Sequence, residues 1–244
     1  MSFCLKNKEN MQRVQRMANK AMKDYEMLQD GDRIMIGLSG GKDSLALVEV
    51  LAARQKIFKP KIEVVACHVS LENVPYQSDI EYLREFCESR GVKFVYKTTR
   101  FDEDTKDGRG PCFLCAWNRR KTLFKAAEEL GCTKLALGHH KDDILETLLM
   151  NQIFQGAYAT MPPVLKMAKF DMTIIRPLAL VREAEIEALA EEHEYKKQIK
   201  NCPHEKVSNR PQVREILKRM EELNPNAASS LWGAMGNVQK EYLV

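Results

Sequence analysis

The stretch from Arg33 to Leu51 constrains this chain more than any other. Arg33-Ile34-Met35-Ile36-Gly37-Leu38 is a short apolar run of strand length, Ser39-Gly40-Gly41-Lys42-Asp43-Ser44 is a turn carrying two glycines, and Leu45 to Leu51 opens a helix. The alternation recurs. Strands are expected at 62–69, 93–96, 134–137 and 173–175, and helices at 79–90, 117–130, 142–154 and 182–193. Strands separated by helices of this length predict a mostly parallel sheet covered on both faces, the doubly wound α/β class.

Three further segments complete the organisation. Met11 to Leu28 has apolar residues at Met11, Val14, Met17, Ala18, Ala21, Met22 and Tyr25, the spacing of an amphipathic helix. That helix serves to pack on the sheet, and its apolar face is also a candidate dimer interface. Residues 101–111 and 156–171 interrupt the alternation and read as mobile loops of the kind that engage substrates. Past residue 196 the strand signals stop, and two helices are expected near 212–223 and 227–242. The expected division is an N-terminal helical segment at 1–28, an α/β domain at 29–195 and a basic helical tail at 196–244.

Charge is distributed unevenly. Residues 196–219 hold eight Lys or Arg against Glu205 and Glu215, whereas 182–194 hold six glutamates and one arginine, which reads as a solvated helix face. Arg119-Arg120-Lys121, with Lys125 one turn later, forms a second positive patch with no acid inside it. No apolar stretch is long enough to span a bilayer, so no membrane association is expected. The first residues turn polar at once, which lacks the core of a secretory signal and points to the cytoplasm. Seven cysteines in such a chain are better read as reduced thiols or metal ligands than as a disulfide framework.

The glycine turn is an anion site in waiting. It lies between a strand and a helix, where backbone N–H groups and the helix dipole converge, and Lys42 adds a point charge. Neither the Walker spacing nor the dinucleotide GxGxxG pattern is met. A plain capped turn would explain neither Lys42 nor the flanking hydroxyls of Ser39 and Ser44. Gly138-His139-His140-Lys141-Asp142-Asp143 follows a later strand and should come close to the first turn at the carboxyl edge of a parallel sheet. Asp142 and Asp143 could hold Mg²⁺ on a polyphosphate, and either could also simply cap the helix that follows. Cys112 and Cys115, in Pro111-Cys112-Phe113-Leu114-Cys115, leave three readings open: a redox disulfide, zinc completed by Cys202 and His204, or an iron–sulfur cluster held with Cys202. Cys4, Cys67, Cys87 and Cys132 read as structural.

The six residues SGGKDS resemble the signature of the PP-loop ATP pyrophosphatases, which cleave ATP between its α and β phosphates. The order SGGKDS, PCFLC followed by Arg119-Arg120, LALGHHKDD and IRPL at 175–178 is similar to the tRNA 2-thiocytidine synthetase (TtcA) family over nearly the whole chain. The resemblance implies ATP, Mg²⁺ and a 4Fe–4S cluster with Cys112, Cys115 and Cys202 as ligands. It also implies tRNA as substrate, a sulfur donor (cysteine desulfurase or sulfide) and a homodimer. Under it Leu38, Ser39, Gly40, Gly41, Lys42, Asp43, Ser44, His68, Gly138, His139 and Arg176 bind the nucleotide. Asp43 with Asp142 or Asp143 positions Mg²⁺, Arg119 or Lys121 steadies the α-phosphate, and the basic tail meets tRNA phosphates. The implied reaction is adenylylation of a base C2 oxygen followed by sulfur transfer. Lysidine-type and thiouridine-type modification, and a non-catalytic zinc-bearing RNA-binding protein, are the alternatives. The lysidine route leaves Cys112 and Cys115 unexplained, and the zinc route leaves the loop without a task.

Overall fold

The computed structural model describes residues 2–73, 76–100, 111–168, 170–200 and 209–242, with side chains given outside 2–8, 76–77, 111–112 and 199–200. The elements in chain order are α1 (Ser2–Asp24), β1 (Asp32–Gly37), α2 (Lys42–Gln55), β2 (Ile62–Leu71), β3 (Tyr76–Gln77), α3 (Ile80–Glu88), β4 (Lys93–Thr99), α4 (Pro111–Glu129) and β5 (Lys134–Ala136). There follow α5 (Lys141–Gln155), β6 (Val164–Lys166), β7 (Thr173–Ile175), α6 (Glu183–Glu192), β8 (Ile199–Lys200), α7 (Arg210–Leu223), α8 (Ala227–Ala234) and a 3₁₀ turn at Lys240–Tyr242. The chain forms two compact units, 1–140 with 163–206, and 141–162 with 207–244.

The first unit contains a six-stranded sheet in the order β4-β2-β1-β5-β7-β6, parallel except for β6. This is the doubly wound arrangement that the alternation predicts. Period-two alternation sends β1 to two cores at once. Ile34 and Ile36 face α1, α2, α3 and α6, and Met35 joins Phe124, Ala126 and Ala127 of α4 on the other side. The chain winds outward from β1 through β2 to β4, then crosses back to place β5 on the free side of β1. Their carboxyl ends, where the winding reverses, form the crevice in which such sheets bind ligands.

The amino edge is fastened by a buried ion pair. Lys134 Nζ lies 2.5 Å from Asp32 Oδ2 and donates to Met27 O at 2.8 Å, while Gln29 N and Thr133 Oγ1 donate to the same carboxylate. A second buried acid, Glu49 of α2, accepts from Arg90 at 2.6 Å and is bridged to His193 Nδ1 at 2.8 Å, tying the ends of α3 and α6 to α2.

Several expectations need correction. The apolar face of α1 is not an interface: Val14, Ala18, Ala21 and Met22 are buried in the chain's own core, with Met11, Met17 and Tyr25 packed beside them. The segment 156–171 is not all loop, because β6 adds an antiparallel edge strand there. Strand structure does not stop at 196, since β8 pairs with β3. Helix α4 begins at Pro111 rather than 117, with proline at a first-turn position that lacks an N–H partner in any case. The last helix stops at Ala234.

In the second unit, Leu145 and Leu149 of α5 pack on Val213 and Leu217 of α7 and Ala228 of α8. Glu146 is fully buried and accepts from Arg214 Nε at 2.7 Å and Arg210 Nη1 at 3.4 Å. Burying a carboxylate without such partners is costly. Two cations of the basic tract are therefore used to dock α7 on α5. Among the described residues no helix is long and apolar enough to cross a membrane.

Candidate nucleotide and sulfur site

The loop Ser39–Ser44 caps β1 and starts α2. Gly40 has φ +83°, a left-handed conformation that side chains rarely adopt, and a Cβ there would stand 2.8 Å from Gln198 Cγ. Gly41 is the N-cap of α2 without a side-chain cap, which leaves the helix N–H groups directed at the crevice. The two serines brace the loop. Ser44 Oγ donates to Gly41 O at 2.9 Å and accepts from Gly40 N and Ser39 Oγ, each at 3.1 Å. Their hydroxyls thus preorganise the amides that would meet an anion.

Lys42 Nζ lies 2.8 Å from Glu183 Oε1, 3.3 Å from Asp43 Oδ1 and 4.0 Å from Glu187 Oε1. Burial alone would lower its pKa, but the carboxylates of Glu183 and Asp43 outweigh it and raise the pKa. The acidic run of α6 is therefore not simply a solvated face: Glu183 and Glu187 hold the loop lysine. Sequence reading missed them, although the run Arg182–Glu194 was the visible signal. Beside the loop lies a cavity of about 580 Å³ whose lining includes Gly40, Lys42, Asp43, Glu187 and Gln198.

The second loop comes close, as the parallel topology requires. A Cβ on Gly138 would stand 3.0 Å from Asp43 C, 3.1 Å from Asp43 O and 3.1 Å from Ser44 N, so the two backbones touch. His140 Nε2 is 3.9 Å from Asp43 Oδ1, a buried oxygen that is ion-paired with the Lys42 ammonium without a well-formed hydrogen bond. A buried carboxylate oxygen beside a phosphate loop, held by a lysine that can turn to the phosphates, suits a hard cation such as Mg²⁺. Asp142 is buried and Asp143 accepts from Arg210 Nη1 at 3.1 Å, both in the first turn of α5 in the second unit.

Around the ends of β2 and β7 the site is electropositive. His68 is fully buried and donates from Nδ1 to Leu38 O at 2.8 Å, which leaves Nε2 as an acceptor without a hydrogen-bond partner among the described residues. Burial pushes its pKa down to about 4, with the charge of Arg119 adding to this, so the imidazole is neutral. Arg119 Nε donates to Val69 O at 3.2 Å. Arg176, itself buried, donates from Nε to His139 Nδ1 at 3.3 Å, and burial and the nearby charge of Arg120 bring its pKa down to about 10. A bound anion would relieve that crowding of positive charge. Lys121 does not converge with Arg119: residues two apart on a helix face different ways, and Lys121 is exposed over the ring of Trp117.

Cys112 and Cys115 lie in the first turns of α4, three residues apart and so at neighbouring positions of one helix face. Cys115 is half-buried and packed against Leu71 and Leu114 at the end of β2. Thiolate donors with this spacing fit an iron–sulfur cluster. Cys202 and His204 lie outside the described residues. Cys67 and Cys87 are buried thiols pushed up to about 12 by desolvation, which makes them poor ligands and nucleophiles.

This geometry agrees with what the chain is similar to. The PP-loop domain family matches residues 10–220. The tRNA-cytidine(32) 2-sulfurtransferase of Syntrophotalea carbinolica is 36% identical over 95% of this chain and 91% of its own length. That of Geobacter sulfurreducens is 35% identical over 95% and 92%. Among solved structures, the U34-tRNA thiolase NcsA from Methanococcus maripaludis, with its 4Fe–4S cluster, superposes with a TM-score of 0.75 at 30% identity, covering 97% of this chain and 82% of that one. With the braced phosphate loop at the winding reversal and similarity of this extent, the chain belongs to the PP-loop family, in the branch of the tRNA-cytidine(32) 2-sulfurtransferases.

Proposed function

We propose that this protein is an ATP-dependent tRNA sulfurtransferase that converts a cytidine to 2-thiocytidine. The observation that carries the reading is the pairing, at one sheet edge, of a complete phosphate loop with a two-cysteine helix start, in a chain 36% identical to enzymes so named. The cytidine C2 oxygen attacks the α-phosphorus of ATP, the α–β bond breaks, and pyrophosphate leaves an adenylylated base. Sulfide then adds at C2, and AMP departs with the oxygen. The amides at the start of α2, Lys42 N and Asp43 N, and the Lys42 ammonium hold the phosphates, once Lys42 turns from Glu183 towards them. Asp43 holds Mg²⁺. Arg119 and Arg176 steady the negative charge that grows on the α-phosphate. Leu38 and His68 wall the nucleotide, the neutral Nε2 of His68 offering an acceptor. Cys112, Cys115 and Cys202 would hold the 4Fe–4S cluster, which supplies the sulfur when bound. A cysteine desulfurase or free sulfide as donor, a homodimeric state and work in the cytoplasm belong to the same reading.

The test is anaerobic purification with iron and sulfide quantitation, followed by incubation with tRNA, ATP and sulfide and analysis of the digested nucleosides. About four irons per chain and broad absorbance near about 400 nm, both lost in Cys112→Ala and Cys202→Ala, are expected together with 2-thiocytidine. Zinc in place of iron, or a thiolated uridine as sole product, would overturn the assignment.

A further inference from the structure

One face of α4 has no task in this mechanism. Phe113, Ala116, Trp117, Arg120 and Lys121 are spaced three and four apart and share a side of the helix over its first three turns. All are exposed, Phe113 at 48% and Trp117 at 45%. Lys121 Nζ sits 4.8 Å over the Trp117 ring. Residues 111–127 contain four Lys or Arg and no Asp or Glu; of the four, Arg119 turns inward to Val69 O, leaving Arg120, Lys121 and Lys125 to solvent. The acids of α4, Glu128 and Glu129, come only at its far end, where Glu129 pairs with Lys97 at 2.8 Å.

An exposed indole flanked by cations, with no carboxylate among residues 111–127 of its own helix, matches the chemistry of a strand of unpaired nucleotides: every base has a π face to stack, and every linkage carries a negative charge. A duplex fits poorly, because its bases are already stacked inside the helix. The platform also adjoins the site, since Trp117 is only two residues past Cys115, about 3 Å along the helix axis. We propose that the Trp117–Arg120–Lys121 face of α4 holds the RNA substrate, with Trp117 stacked on an unpaired base and Arg120 and Lys121 on the adjoining phosphates. This deepens the tRNA reading above and rests on it.

The test compares binding of a stem-loop RNA with cytidines in its loop and of a fully paired duplex of the same composition, using the full chain. Trp232→Phe leaves Trp117 as the sole indole reporter. The stem-loop should quench Trp117 fluorescence and the duplex should not. Trp117→Ala should weaken stem-loop binding about tenfold, the size of one lost stacking contact. Trp117→Phe, which keeps a π face, should recover most of it, and ATP affinity should be unchanged in both. The inference is overturned if the parent binds the stem-loop and Trp117→Ala binds it equally well. It is also overturned if sedimentation finds an oligomer that Trp117→Ala dissociates, since the face would then be a protein contact. A parent chain that binds no RNA at all would overturn the substrate reading itself, so the two failures are read from different samples.

Discussion

Replacing Gly138 by alanine inserts one methyl group where two backbones touch. Its three nearest neighbours would be Asp43 C, Asp43 O and Ser44 N at 3.0–3.1 Å, and none can rotate away, because all belong to the phosphate loop and the first turn of α2. Gly138 has no left-handed φ, so the cost is steric alone. Overpacking of this kind costs about 1–2 kcal/mol, or roughly 3–6 °C in melting temperature for a chain of this size. Displacing Asp43 by a few tenths of an ångström should also slow pyrophosphate release, by about tenfold or more. Gly37→Ala is the matched control. Its Cβ would also have a neighbour at 3.0 Å, but that neighbour is Leu137 Cδ2, a methyl group that can swing aside. Thermal unfolding and ATP-dependent pyrophosphate release on both variants give the comparison. If Gly138→Ala is as stable and active as Gly37→Ala, the backbone contact between the two loops is refuted as the reason for glycine at 138.

At the opposite edge of the sheet, Lys134→Met removes one half of a buried pair and leaves Asp32 with Gln29 N and Thr133 Oγ1 as its donors among the described residues. A loss of about 3 kcal/mol is expected in denaturant titrations, with ATP affinity unchanged, and a loss under about 1 kcal/mol would mean the pair contributes little. His68 sets an acid limit: the unfolded chain takes up its proton near pH 6.5, whereas the fold resists until about pH 4. Stability is therefore present above pH 6.5 and falls as the pH drops towards 4, by up to about 3 kcal/mol, and His68→Gln should lack that portion of the slope. Equal slopes in the two proteins would show that His68 takes up its proton without opposition.

Much of the fold was legible because its signals are local. The apolar run 33–38, the two glycines and the helix after them specify strand, turn and helix by chain geometry alone, and β1, α2, β2 and α3 fall where the pattern puts them. The strands that were missed, β3, β6 and β8, are two or three residues long and are defined by partners elsewhere in the chain rather than by periodicity. The start of α4 was missed because Pro111 reads as a loop residue until the structure places it at a helix N-terminus, where its missing N–H is harmless.

The candidate site divides in the same way. The sequence by itself determined the residue types: a phosphate loop with a lysine, an acid at Asp43, a glycine at 138, thiols three apart and an aromatic among arginines. Such chemistry is carried by neighbours along the chain. Only the tertiary structure decided which of them meet. It gave Lys42 to Glu183 across 141 residues of chain, stood Arg176 on His139, turned Arg119 inward and Lys121 outward, and committed Arg210 and Arg214 to carboxylates of α5. A charge in sequence has no partner until a sheet and its helices bring one within about 3–4 Å, and the sign of the run in which it sits does not say which partner that will be.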